Sequence, residues 1–119
     1  MKKTLVIGAS NQPDRYANMA IRFLREKGVE TIAIGSRPGT VGDVEIRTDL
    51  PSLAGTDTVT IYLRPDRQQA FHDYLLTIRP RRVIFNPGTE NPALANILSS
   101  EGIEVLEACT LVLLSTGQY

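Results

Sequence analysis

Two short stretches carry residue types that could do chemistry on a phosphorylated ligand. The first is Gly8-Ala9-Ser10-Asn11, which ends an apolar run and leads through Gln12-Pro13-Asp14-Arg15 into an amphipathic segment. Small residues let a phosphate approach the backbone, and free N–H groups at a helix start favour an anion. Ser10 and Asn11 add side-chain donors, and Arg15 adds a fixed charge. The dinucleotide pattern G-x-G-x-x-G is missing, and its second and third glycines have geometric jobs in seating NAD. Taken alone, the stretch also fits a tight turn with an Asn or Asp cap.

The second stretch is Ile34-Gly35-Ser36-Arg37-Pro38. A chain that reads the ribose diol of NAD places Asp or Glu here. Arginine suits a ribose phosphate instead, either the 2′-phosphate of NADP or the 3′-phosphate of coenzyme A. A solvated surface arginine is the plainer alternative. Two further loops are weaker alone. Tyr62-Leu63-Arg64-Pro65 could wall an adenine or a pyrophosphate, and Asn86-Pro87-Gly88-Thr89-Glu90-Asn91 is rich in turn formers.

Catalytic groupings are scarce. The single histidine, His72, falls within an expected helix, away from these loops. The single cysteine, Cys109, has Glu104 and Glu107 for neighbours, which disfavour a thiolate. The carboxylates Asp14, Glu90 and Glu107 form no acid–base pair. No catalytic residue and no metal ligand set is expected.

The four loops need a scaffold that brings them together, and the hydropathy pattern supplies one. Thr4 to Ile7 reads as a strand buried on both faces, as in parallel sheets. Ala17, Ala20, Ile21 and Leu24 make one stripe of a helix over 16–27, stopped by Gly28. Val29 to Ile34 is a second strand. Residues 35–55 read as irregular, with Val44-Glu45-Ile46 a short extended piece and Asp49 to Leu53 a helical turn. Asp57 to Leu63 is a third strand, followed by a helix from Pro65 or Asp66 to about Ile78. Arg82 to Phe85 is a fourth strand, Asn91 to Ser100 a helix and Ile103 to Leu106 a fifth strand, with a short terminal element over 109–114. Strands alternating with helices predict an α/β, Rossmann-like three-layer sandwich: a five-stranded parallel sheet of order 3-2-1-4-5. In such a sheet the ligand crevice lies outside the carboxyl ends of the strands. All four loops fall there.

The 119 residues read as one domain, residues 1–119, with 42% apolar residues to form a core. Thirteen basic and thirteen acidic residues cancel, so no net field draws nucleic acid or an anionic membrane. No apolar run approaches the roughly 18–20 residues of a membrane span. The apolar start is too short for a secretion signal. A small cytoplasmic protein is expected.

Taken in order, these segments resemble the CoA-binding domain family, in its small single-domain branch related to the N-terminal domain of the succinyl-CoA synthetase α subunit. The likeness rests on Val6-Ile7-Gly8-Ala9-Ser10-Asn11 with Arg15, Ile34-Gly35-Ser36-Arg37, Leu50-Pro51-Ser52-Leu53, Arg64-Pro65, Asn86-Pro87-Gly88 and Glu107-Ala108-Cys109-Thr110-Leu111. It departs at Gly35-Ser36, where the family often has Asn-Pro. The resemblance implies coenzyme A or an acyl-CoA held at the strand ends. Gly8, Ala9, Ser10 and Asn11 would meet the pyrophosphate with Arg15 nearby, and Ser36 and Arg37 would lie by the adenosine and its 3′-phosphate. Tyr62 and Pro65 would line the pocket, and Asn86 and Gly88 would border the pantetheine path. The resulting expectation is a small-molecule nucleotide ligand, with neither nucleic acid nor membrane as partner. The alternatives are a small NADP-binding oxidoreductase, or a scaffold or regulatory subunit with a vestigial nucleotide site. For the last, Leu111-Val112-Leu113-Leu114 could support a homo-oligomer.

Overall fold

A computed structural model describes residues 2–119; Met1 lies outside the described residues. The strands are β1 (Thr4–Ile7), β2 (Thr31–Ile34), β3 (Gly39–Val41), β4 (Val44–Arg47), β5 (Thr58–Ile61), β6 (Arg82–Phe85) and β7 (Glu104–Glu107). The helices are α1 (Tyr16–Glu26), α2 (His72–Ile78), α3 (Pro92–Ser100) and α4 (Thr110–Ser115).

All strands join one sheet of order β3-β4-β2-β1-β5-β6-β7. Every pairing is parallel except the β3–β4 hairpin. The Rossmann-like α/β class is therefore observed, with seven strands rather than five and a different order. The difference lies in residues 39–47. Val44–Arg47 alternates buried and exposed positions and pairs with β2 outside it, in the place expected for Asp57 to Leu63. The latter segment instead forms β5, on the other side of β1. A four-residue strand next to a turn glycine, Gly42 at φ 60°, carries too little periodicity to be counted from sequence. Asp49 to Leu53 forms no helical turn; Leu53 is buried and the Pro51 carbonyl accepts a hydrogen bond from the Tyr74 hydroxyl. The helix expected from residue 65 is broken into two 3₁₀ turns, Pro65–Arg67 and Gln69–Phe71, before α2.

Side chains alternate across the sheet and fill two cores. Leu5, Ile7, Val59, Ile61, Val83 and Phe85 pack with Leu75, Leu94 and Leu98 on the α2–α3 side. Val6, Ala33 and Ile46 pack with Ala17, Ile21, Leu24 and Leu114 on the α1–α4 side. Helix α1 ends in a Schellman motif: Gly28, at φ 74°, donates to the Arg25 carbonyl, and Val29 N–H reaches the Leu24 carbonyl.

The chain runs from β1 to β2, out to the edge strand β3, back as β4 against β2, and then crosses to β5 on the other side of β1. Order therefore reverses between β1 and β5, and the loops after these strands border the crevice of an open α/β sheet.

Candidate functional site

Backbone contacts set the shape of the rim. Gly8 has φ 92°, and a Cβ there would stand 2.9 Å from the carbonyl carbon and oxygen of Tyr62. Glycine is needed for both conformation and space, so the loops after β1 and β5 close directly on each other. Gly35 has an ordinary φ, yet its Cβ would meet the Ala9 carbonyl oxygen at 2.4 Å. The loop after β1 is thus wedged between those after β2 and β5.

The N–H groups of this loop divide into two sets. Those of Gly8 and Ala9 both donate to the Ile34 carbonyl at 2.9 Å. Those of Ser10, Asn11 and Asp14, and of Tyr16, Ala17 and Asn18 in the first turn of α1, have no partner among the described residues. No side chain caps α1. Unpaired N–H groups at a helix start carry the positive end of its dipole, which favours an anion. Gly8 and Ala9 contribute close packing to this loop, and the open donors begin at Ser10.

The side chains bear this out in part. The Ser10 hydroxyl accepts from Gln12 N–H at 3.1 Å. Asn11 is exposed and packs over Gly39 of β3, whose Cβ would lie 3.1 Å from Asn11 Nδ2. Arg15 is exposed, its Nε donating to Gln12 Oε1 at 3.2 Å. Ser36 and Arg37 are exposed beyond β2. Neither Arg15 nor Arg37 has a carboxylate partner among the described residues, whereas Arg25, Arg47 and Arg81 are all paired. The structure thus brings the Gly8–Arg15 loop and Ser36-Arg37 to one end of the sheet, with two uncompensated cations.

The other expected site residues are differently placed. The Tyr62 ring packs against the α1–α4 core, so that its backbone, not its hydroxyl, faces Gly8. The hydroxyl is buried without a hydrogen-bond partner, close to Thr110, Thr60 and Cys109 but outside good bonding geometry. Burial pushes its pKa well above the usual phenol range, an effect the threonine hydroxyls offset in part. Pro65 is exposed at the start of the first 3₁₀ turn. Asn86 is only 2% exposed, and its amide is fully used. Nδ2 donates to Thr60 Oγ1 at 2.7 Å and to the Ile61 carbonyl at 2.9 Å, and Oδ1 accepts from Thr110 N–H at 2.8 Å. Asn86 thus ties β5, β6 and the start of α4 together just beneath the rim. Gly88, at φ 89°, is exposed and donates to Glu90 Oε1 at 2.9 Å.

Several residues that frame the site escaped the sequence reading. Gln68, 2% exposed, donates from Nε2 to the Leu63 carbonyl at 2.8 Å and the Thr89 carbonyl at 2.7 Å. Its Oε1 accepts from Asn91 Nδ2 at 3.1 Å, so one side chain joins the loops after β5 and β6. Nothing in the local sequence marks it, because the pairing spans 21 residues. Asn18 and Arg22 of α1 reach back to the carbonyls of Ser10 and Pro13. Their signal was present: a polar residue beside the apolar stripe, followed at i+4 by an arginine.

A separate groove of about 440 Å³ runs between α1 and α4, lined mainly by Met19, Phe23, Leu111 and Val112. None of the expected site residues lines it. Among the described residues no group of three or more His, Cys, Asp or Glu could hold a metal ion, and no helix is long and apolar enough to cross a membrane.

The geometry can be set beside known proteins. A crystal structure of an uncharacterized protein matches with a TM-score of 0.97 at 46% identity, covering 100% of this chain and 98% of that one. Prb, the PH1109 protein redesigned for binding, matches with a TM-score of 0.86 at 20% identity over 98% of this chain and 83% of its own. A protein from Thermus thermophilus, cell-free ID.343, gives a TM-score of 0.84 at 23% identity over 99% and 91%. The latter two share the fold. No curated protein matches significantly. The family described as CoA binding domain matches residues 2–115, nearly the whole chain. With that match, and with the loops meeting where an open α/β sheet seats its ligands, the chain belongs to the CoA binding domain family.

Proposed function

We propose that this protein binds coenzyme A or an acyl-CoA at the carboxyl ends of β1, β2 and β5, as a module without a group-transfer reaction of its own. The pyrophosphate sits on the open donors from Ser10 to the first turn of α1, with Arg15 beside it. The 3′-phosphate lies with Arg37, and the pantetheine arm runs toward the loops after β5 and β6. The carrying observation is that the N–H groups of Ser10, Asn11, Asp14 and the first turn of α1 have no partner in a loop otherwise closely hydrogen-bonded. An uncompensated Arg37 at the adjoining loop adds the charge that separates a ribose phosphate from a free diol.

Thermal unfolding with CoA, dephospho-CoA, NAD and NADPH tests this reading. Ligand bound only by the folded state at a hundredfold excess over Kd stabilises by about 2.7 kcal/mol, roughly 10 °C for a domain of this size. A shift with CoA that shrinks with dephospho-CoA supports the reading. A shift with NADPH that CoA does not compete away would replace it with an NADP site, since Arg37 could hold a 2′-phosphate equally well.

A further inference from the structure

The loop after β1 is held from behind by two side chains of α1. Asn18, 3% exposed, donates from Nδ2 to the Ser10 carbonyl at 3.0 Å. Its Oδ1 accepts from Arg22 Nε at 2.8 Å, and Arg22 Nη2 donates to the Pro13 carbonyl at 2.9 Å. The amide has one orientation only. A guanidinium can only donate and a carbonyl can only accept, so the oxygen of Asn18 must face Arg22 and its nitrogen Ser10.

The consequence falls on the other side of each peptide. Every peptide among the described residues is trans. In a trans peptide the N–H lies opposite the C=O. With the Ser10 carbonyl drawn toward Asn18, the Asn11 N–H points away from α1. With the Pro13 carbonyl drawn toward Arg22, the Asp14 N–H does the same. Neither group has a partner among the described residues. The N–H groups of Gly8 and Ala9, earlier in the loop, are already committed to Ile34.

We infer that Asn18 and Arg22 form a positioning relay that presents the Asn11 and Asp14 N–H groups to the pyrophosphate of the ligand. The inference rests on the CoA reading above and adds two residues that touch no ligand themselves. Asn18→Asp would set a carboxylate oxygen against the Ser10 carbonyl and favour the flipped peptide. Arg22→Ala would free the Pro13 carbonyl and let the Asn18 amide turn.

The test compares two ligands, coenzyme A and adenosine 3′-monophosphate, which lacks the pyrophosphate. Titration calorimetry of Asn18→Asp and Arg22→Ala should show CoA weakened about tenfold, the effect of losing one well-directed donor to a charged group. The monophosphate should change by less than twofold, and the CoA-induced amide shift of Asn11 should shrink in both variants. Arg22 is exposed, so Arg22→Ala carries the test if Asn18→Asp fails to fold. Equal losses for both ligands, or CoA affinity within twofold of the parent, would overturn the relay and leave the CoA reading standing. A parent protein that binds no CoA would overturn the reading on which the relay rests.

Discussion

Gly35 lies directly against the carbonyl of Ala9, so closely that a Cβ would stand 2.4 Å from its oxygen. Its φ is ordinary; what the position requires is space. Gly35→Ala must push the loop after β1 away from β2 or displace Ile46, whose Cγ2 would be 2.9 Å from the new carbon. Overpacking of this kind costs about 1–3 kcal/mol. Urea unfolding should show that loss, and CoA affinity should fall with it because the displaced segment begins the donor loop. Unchanged stability and affinity would mean that the contact between the two loops is loose.

Arg37 tests where the ribose phosphate lies. Removing one charge-assisted contact costs roughly 1.5–3 kcal/mol. Arg37→Ala should therefore weaken CoA at least about tenfold while leaving dephospho-CoA nearly unchanged. Titration of both ligands decides it, and equal losses would place Arg37 elsewhere on the ligand.

Arg37 was legible in the sequence and Gln68 was not, and the contrast has a physical cause. Arg37 was visible because its chemistry is local: a strand end followed by a cation. The apolar runs of β1, β5 and β6 were equally plain, because both faces of each are buried. The sheet order was misread at Val44–Arg47: this short strand takes the place beside β2, and the segment expected there forms β5 on the other side of β1. Gln68 was invisible, since its bonds to Leu63 and Thr89 appear only once two loops have folded together. The commitment of the Gly8 and Ala9 N–H groups to Ile34 was hidden for the same reason.

Asn86 should prove decisive for stability. Asn86→Ala leaves the Thr110 N–H without its partner and removes both donors to Thr60 and Ile61. Unsatisfied buried groups cost about 1–3 kcal/mol each, so a loss of at least about 2 kcal/mol is expected in chemical unfolding. Thr110→Val deletes only the 2.8 Å contact with Thr60 Oγ1 and should cost about half as much. A stable Asn86→Ala variant would contradict the network.

Acid should weaken the fold through Asp57. Two hydrogen bonds from Arg81, Nε to Oδ1 at 2.8 Å and Nη2 to Oδ2 at 3.2 Å, hold this carboxylate below its ordinary pKa, and burial opposes them. Because the folded value is depressed, the stabilisation is complete above the unfolded value near 3.9. It is lost as pH falls through the folded value. Asp57→Asn should be less stable than the parent at pH 7, and the two should converge as pH falls below the depressed folded value. Parallel pH profiles would show that the pair contributes nothing.

The central claim is that coenzyme A binds across the carboxyl ends of β1, β2 and β5. The most direct measurement is a titration of the ¹⁵N-labelled protein with CoA, followed through its backbone amide resonances. The account predicts saturable shifts concentrated at residues 8–18 and 35–37, with smaller ones at 62–65 and 86–91. Shifts confined to the groove between α1 and α4, or none at millimolar CoA, would contradict it.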